Sequence, residues 1–165
     1  LAVLEDDVAD ELAQPTCGNS DSATTVVLAV LTETEMRWIT VGDSALFVVT
    51  QGTARRIGRP TSSYLEGGPH RRGVATHLQS GTVSLRGDEV VVAVTDGVTD
   101  YLDQRGDAIA AAVTTAGSPG SAARLIVDLA NDCGAGDNLA VSLAMPQRPA
   151  PPLPWYVTEA ARRMS

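Results

Sequence analysis

Apolar residues at Leu1, Leu4, Val8 and Leu12 recur at helical spacing with acids between them, and Pro15 closes the pattern. The chain therefore opens on a predicted amphipathic helix. It enters that pattern without a Met or an N-cap residue, so the true start is read as lying upstream of Leu1. From Thr24 the period changes. The β-branched runs Thr24–Leu31 and Arg37–Val41 flank a short acidic turn and predict an antiparallel hairpin. Ala45–Thr50 and Thr53–Ile57, joined at Gln51-Gly52, predict a second. Hairpins in succession make an antiparallel meander, not a βαβ series.

Residues 58–76 mix Pro, Gly, Ser, His and Arg without a period, and a stretch of that length is read as a surface flap. Two more strands follow, Ser80–Leu85 and Glu89–Val94, separated by the turn-like Arg86-Gly87-Asp88. The second is apolar throughout, the pattern of a strand covered on both faces. Helical stretches are predicted at Val98–Leu102, Ala108–Thr115 and Ala122–Asn131, the last with Ala123, Ile126, Val127 and Ala130 on one face. Gly134-Ala135-Gly136 is a helix stop, and a final strand is expected from Asn138 to Met145. Pro146–Pro154 is an extended proline-rich linker, and Trp155–Met164 is compatible with a short helix. Residues 1–145 are thus expected to form the domain and residues 146–165 a tail.

An apolar content of 44% over 165 residues suffices for one core. No run of about twenty apolar residues exists, and the acidic start lacks the basic flank of a secretory leader, so a soluble, cytoplasmic chain without a membrane role is expected. A net charge of −8 argues against nucleic acid as a partner, because phosphate neutralisation needs clustered cations. Cys17 and Cys133 stand far apart with no ligands at zinc spacing and read as reduced thiols.

Three acids share a context. Asp43 lies in Gly42-Asp43-Ser44, Asp96 in Thr95-Asp96-Gly97 and Asp137 in Gly136-Asp137-Asn138, each at a turn beside a hydrophobic strand. Singly, each is ordinary turn chemistry. Together, carboxylates at strand ends can converge on one edge of a sheet sandwich, where their repulsion needs cations to offset it. An all-oxygen set suits Mg²⁺ or Mn²⁺. Two such ions about 4 Å apart can clamp phosphoryl oxygens and raise the hydroxide available at neutral pH.

The order and spacing of Val41-Gly42-Asp43-Ser44, of Thr95-Asp96-Gly97-Val98-Thr99-Asp100 after a strand, and of Gly136-Asp137-Asn138 before the last strand resembles that of bacterial PP2C-type (PPM) metal-dependent protein phosphatases, over about Leu1 to Met145. The resemblance implies an α+β fold, an α-β-β-α sandwich of two mainly antiparallel sheets flanked by helices, of which this chain would hold the C-terminal two-thirds. It implies hydrolysis of phosphoserine and phosphothreonine in a phosphorylated protein substrate, with two catalytic Mn²⁺ or Mg²⁺ ions and room for a third. By it, Asp96 and Asp137 look like ligands of the first catalytic metal, and Asp43 and Asp96 like ligands of the weaker third ion. Gly97 and Asn138 belong to the same motifs, while Asp100, Arg71 and Arg72 are candidates for orienting a metal water or meeting substrate.

The chain also departs from the family. The upstream Asp-Gly-x-Gly-Gly aspartate that bridges both metals, a second acidic ligand and a phosphate-gripping arginine have no match in it; Ala23-Thr24-Thr25 stands for Gly-Thr-Thr, and Ala45 for an arginine. Catalysis by this stretch alone is therefore expected to be incomplete, and a catalytically inactive regulatory or binding module is the alternative.

The remaining chemistry has plainer readings beside the functional ones. Arg55, Arg56, Arg59, Arg71 and Arg72 around the flap either recruit an acidic or phosphorylated substrate or form a solvated rim. His70 and His77 are general-acid or surface residues, Asp100 is read as a cap at the start of a helix, and Trp38 and Phe47 as core. Gly42-Asp43-Ser44-Ala45-Leu46 also resembles the nucleophile block of a serine esterase family, with Ser44 as nucleophile. That block needs a following helix and a partner His, whereas a strand is predicted after it and no Asp-x-x-His occurs near the C-terminus.

Overall fold

The computed structural model describes residues 23–62, 64–66, 78–102, 104 and 106–145. In chain order the elements are β1 (Ala23–Thr24), β2 (Val26–Leu31), β3 (Glu35–Val41), β4 (Ala45–Thr50), β5 (Thr53–Ile57), β6 (Leu65–Glu66), β7 (Gln79–Ser84), β8 (Val90–Val94), α1 (Asp96–Thr99), α2 (Asp107–Thr115), α3 (Pro119–Asp132) and β9 (Val141–Ala144). A four-stranded sheet has the order β5-β4-β8-β9, a three-stranded sheet the order β2-β3-β7, and β1 pairs with β6. Every ladder is antiparallel. Both predicted hairpins form, and the turn between β4 and β5 has φ of 48° at Gln51 and 78° at Gly52, the sign at both positions that matches strand twist.

The apolar run of β8 explains how the layers stack. Val90, Val92 and Val94 join Ala45, Phe47 and Val49 of β4 against Ile109, Ala110 and Ala112 of α2 and Ile126 of α3. On the opposite face Val91 joins Leu46 and Val48 of β4 with Met36 of β3, Ile57 and Leu85, while Trp38 and Val83 pack beside them. The four-stranded sheet is thus the middle layer, with helices on one side and the second sheet on the other. Each fully buried Val, Leu or Phe contributes about 1.5–3 kcal/mol, so a strand buried on both faces is held more firmly than one with a wet face.

Several expectations change. The meander is broken at Gly42, because β3 pairs with β2 and β7 while β4 pairs with β5 and β8. Gly42 has φ of +97°, and a Cβ there would lie 2.5 Å from Thr25 Cγ2, so the change of sheet depends on glycine. The helix after Thr95 is a single turn, Asp96–Thr99, rather than Val98–Leu102. The third helix begins earlier than predicted, at Pro119, because Ser118 caps it by accepting a hydrogen bond from the Ser121 amide. It ends as expected at glycine: Gly134, with φ of +84°, donates to Asn131 O, and Ala135 donates to Ala130 O. The last strand starts at Val141 rather than Asn138, since the preceding backbone bonds to Thr95 instead of continuing a ladder.

The predicted helix over residues 1–12, Cys17, His70, Arg71, Arg72, His77 and the tail after Met145 lie outside the described residues. Of the flap, residues 65–66 form β6 rather than loop. No described helix is long and apolar enough to cross a membrane.

Candidate functional site

Register brings the three acids to one end of the middle sheet. Ala45 pairs with Val94, and Val94 with Val141. Two residues before Ala45 stands Asp43, two after Val94 stands Asp96, and four before Val141 stands Asp137. All three leave the sheet in the same direction. Asp43 and Asp96 are half-buried, and Asp137 is exposed.

Gly97 permits the approach of Asp96 to Asp137. A Cβ at this buried position would lie 2.7 Å from the Asn138 carbonyl oxygen and 3.3 Å from Asp137 Cβ. Thr95 ties the two segments together: its amide donates to Ala140 O at 3.1 Å, its hydroxyl to Asn138 O at 3.1 Å, and the Ala140 amide donates back to Thr95 Oγ1 at 3.1 Å. Each carboxylate is also oriented by the amide that follows it. Gly97 N donates to Asp96 Oδ1 at 2.9 Å, and Asn138 N to Asp137 Oδ1 at 2.7 Å.

Asp43 is held differently. Its Oδ2 accepts from the Tyr64 hydroxyl at 2.8 Å, and its carbonyl accepts from the Arg56 guanidinium at 3.2 Å. The hydrogen bond to Asp43 and that residue's charge push the Tyr64 phenol up from its ordinary value, with desolvation and the Asp96 charge acting in the same sense. Next to Asp43, the Ser44 hydroxyl shares a 2.8 Å hydrogen bond with that of Thr25, and the chain runs directly into β4. The strand-to-helix turn that a serine nucleophile requires is not formed, which removes the esterase reading.

The sequence groups Arg56 with the arginines around the flap that recruit substrate or form a solvated rim; the structure ties it into the fold. It lies with its guanidinium carbon 5.8 Å from the centre of the Phe47 ring and donates to Gln104 Oε1 at 2.7 Å as well as to Asp43 O. Gln104 Nε2 in turn donates to Asp100 Oδ1 at 3.0 Å. Burial lowers the Arg56 pKa, while the charges of Asp100 and Asp43 oppose that shift. Arg55 and Arg59 are exposed. Asp100 is not at a helix start: the helix begins at Asp96, so Asp100 occupies its C-cap, with its amide donating to Asp96 O at 2.8 Å.

The donor set consists of carboxylate oxygens, which suits hard divalent ions, and no described arginine lies within ion-pair distance of Asp43, Asp96 or Asp137. Among the described residues, however, no three His, Cys, Asp or Glu side chains converge tightly enough to hold an ion alone. By the type of their oxygens alone the three acids suit a divalent cation, but they do not by themselves form a ligand cluster. Sequence reasoning missed Tyr64, which sits in the aperiodic flap, and the bond from Arg56 to Gln104, which joins residues far apart in the chain.

No family model and no curated protein matches the chain. Solved structures do. It superposes on a bacterial serine phosphatase with a TM-score of 0.73 at 18% identity, covering 88% of this chain and 68% of that one. Serine/threonine phosphatase Stp1 from Staphylococcus aureus gives 0.73 at 18% identity, covering 89% and 68%. The Mycobacterium tuberculosis serine/threonine phosphatase PstP/Ppp gives 0.67 at 15%, covering 87% and 68%. The chain spans about two thirds of the length of these structures. It has the PP2C-type fold, with two packed antiparallel sheets and the described helices against the four-stranded one.

Proposed function

We propose that this chain is part of a metal-dependent phosphatase acting on phosphoserine and phosphothreonine in proteins, in the cytoplasm. The observation that carries the reading is the departure of Asp43, Asp96 and Asp137 from one end of the middle sheet, in a fold shared with bacterial serine phosphatases. In this reading Asp96 and Asp137 contribute to a catalytic Mn²⁺ or Mg²⁺ site, and Asp43 with Asp96 to an accessory one. Gly97 lets the first pair approach, and the amides of Gly97 and Asn138 fix one oxygen of each carboxylate. Divalent ions, when bound, supply positive charge against phosphoryl oxygens and acidify water. In this reading Asn138 and Asp100 would orient water at the same site.

A second reading, a PP2C-fold module that binds or regulates without catalysis, is favoured by one observation: the described acids do not by themselves form a three-ligand cluster. Hydrolysis of p-nitrophenyl phosphate by the intact protein separates the two. Turnover that requires Mn²⁺ or Mg²⁺ and stops in EDTA is expected; undiminished turnover in excess EDTA would overturn the metal reading, and none under any metal would favour the module. Asp96→Asn is expected to lower kcat by roughly a hundredfold or more, at about tenfold per 1.4 kcal/mol of lost transition-state stabilisation. Asp43→Asn is expected mainly to raise the Mn²⁺ concentration needed, and Ser44→Ala to leave turnover largely intact.

A further inference from the structure

Asp43 and Asp96 lie on separate segments, one in the sheet-changing turn between β3 and β4 and one at the start of α1. The ladder joining β4 to β8 stops short of both, at Ala45 and Val94. A line of side chains spans the gap. Arg56 stands opposite Phe47 in the β4–β5 register and reaches past that strand to the Asp43 carbonyl at 3.2 Å. Its other arm donates to Gln104 at 2.7 Å, Gln104 donates to Asp100 at 3.0 Å, and the Asp100 amide donates to Asp96 O at 2.8 Å. Hydrogen bonds thus run unbroken from the residue bearing one carboxylate to the residue bearing the other.

The base under this line is rigid. Phe47 is fully buried. Gly106 presses on its ring so closely that a Cβ there would lie 2.8 Å from Phe47 Cε1. Both acceptors of the guanidinium are neutral, a carbonyl and an amide oxygen, so the planar fork sets its orientation rather than an ion pair.

We propose that Arg56 is a positioning residue that sets the relation between the Asp43 and Asp96 carboxylates by bracing the turn at residues 42–44, through Gln104, against the segment 96–102. The use of the pair for a cation rests on the metal-phosphatase reading; the brace itself does not. It predicts that loosening Arg56 frees both segments together, and that lysine, with its point charge and no fork, does not substitute for it.

The test is amide hydrogen exchange by NMR on the wild-type chain and on Arg56→Ala, Arg56→Lys and Gln104→Ala. The reporters are Gly42 and Thr61, which bond each other across the turn, and Asp100 and Leu102, which bond back to Asp96 and Val98. Arg56→Ala and Arg56→Lys should both raise exchange at the two pairs of reporters by about tenfold, the scale of losing one charge-assisted hydrogen bond, with the amides of α3 unchanged. Gln104→Ala should do so at Asp100 and Leu102 alone, and it decides the matter if Arg56→Ala does not fold. Acceleration on one side only with Arg56→Ala, wild-type protection in Arg56→Lys, or no change in Gln104→Ala would overturn the brace. Calorimetric titration of the intact protein with Mn²⁺ tests the use of the pair: a Kd raised about tenfold in Arg56→Lys is expected, and an unchanged Kd beside accelerated exchange would overturn it. Absence of Mn²⁺ binding by the wild type would instead remove the metal reading while leaving the exchange result to decide the brace.

Discussion

The four-stranded and the three-stranded sheets are built to different standards. In the four-stranded sheet, β4 and β8 are apolar at successive positions and buried on both faces, Val90, Val92 and Val94 toward the helices and Val91 toward the second sheet. In the three-stranded sheet, β7 alternates half-buried and exposed residues along Gln79–Ser84, and Val30 of β2 is 52% exposed. The doubly covered strands are the ones whose ends lead to Asp43 and Asp96. Two of the three acids thus stand just beyond the most deeply buried strands of the molecule. Asp137, which precedes the edge strand β9, is the exposed member of the three.

The contrast can be broken by cutting side chains on either sheet. Phe47→Ala should have the largest effect, about 3–5 kcal/mol of stability by chemical denaturation, because it empties the layer between the middle sheet and the helices. A loss near 1 kcal/mol would show that this layer is not the firmer one. Gly97→Ala should lose about 1–3 kcal/mol, since the new methyl would meet the Asn138 backbone oxygen and must push α1 away from the segment carrying Asp137. Unchanged stability there would mean that the two segments slide apart freely. Val83→Ala, half-buried in the three-stranded sheet, should lose only about 1 kcal/mol. Equal losses at Val83 and Phe47 would erase the distinction between the sheets.

Much of this was legible in the sequence, for local reasons. The unbroken run Val90–Val94 announced a strand covered on both faces, and Gln51-Gly52 announced a hairpin, because both signals lie within a few residues. The carboxylate motifs were legible as turns at strand ends for the same reason. What was not legible depends on partners distant in the chain. The change of sheet at Gly42 follows from Thr25 pressing on it. The late start of β9 follows from Thr95 taking the bonds of Asn138 and Ala140. The roles of Arg56 and Tyr64 follow from where β5 and residue 64 lie beside Asp43. Asp100 reads as a cap at a helix start, yet the start signal is Thr95, a residue type favoured at the N-cap, with Asp96 in the first turn; nothing local marks that the helix ends after that one turn.

The pairing of β4 with β8 also governs the order in which such a chain can assemble. The hairpins β2–β3 and β4–β5 close over a few residues and can form within microseconds. Val49 must find Val90, and Thr40 must find Gln79, across long intervening stretches, so loop-closure entropy is spent before either contact gives anything back. The acidic edge is completed only by that last, non-local event. A chain still emerging during synthesis would therefore hold formed hairpins but no assembled Asp43–Asp96 edge until β8 has been made.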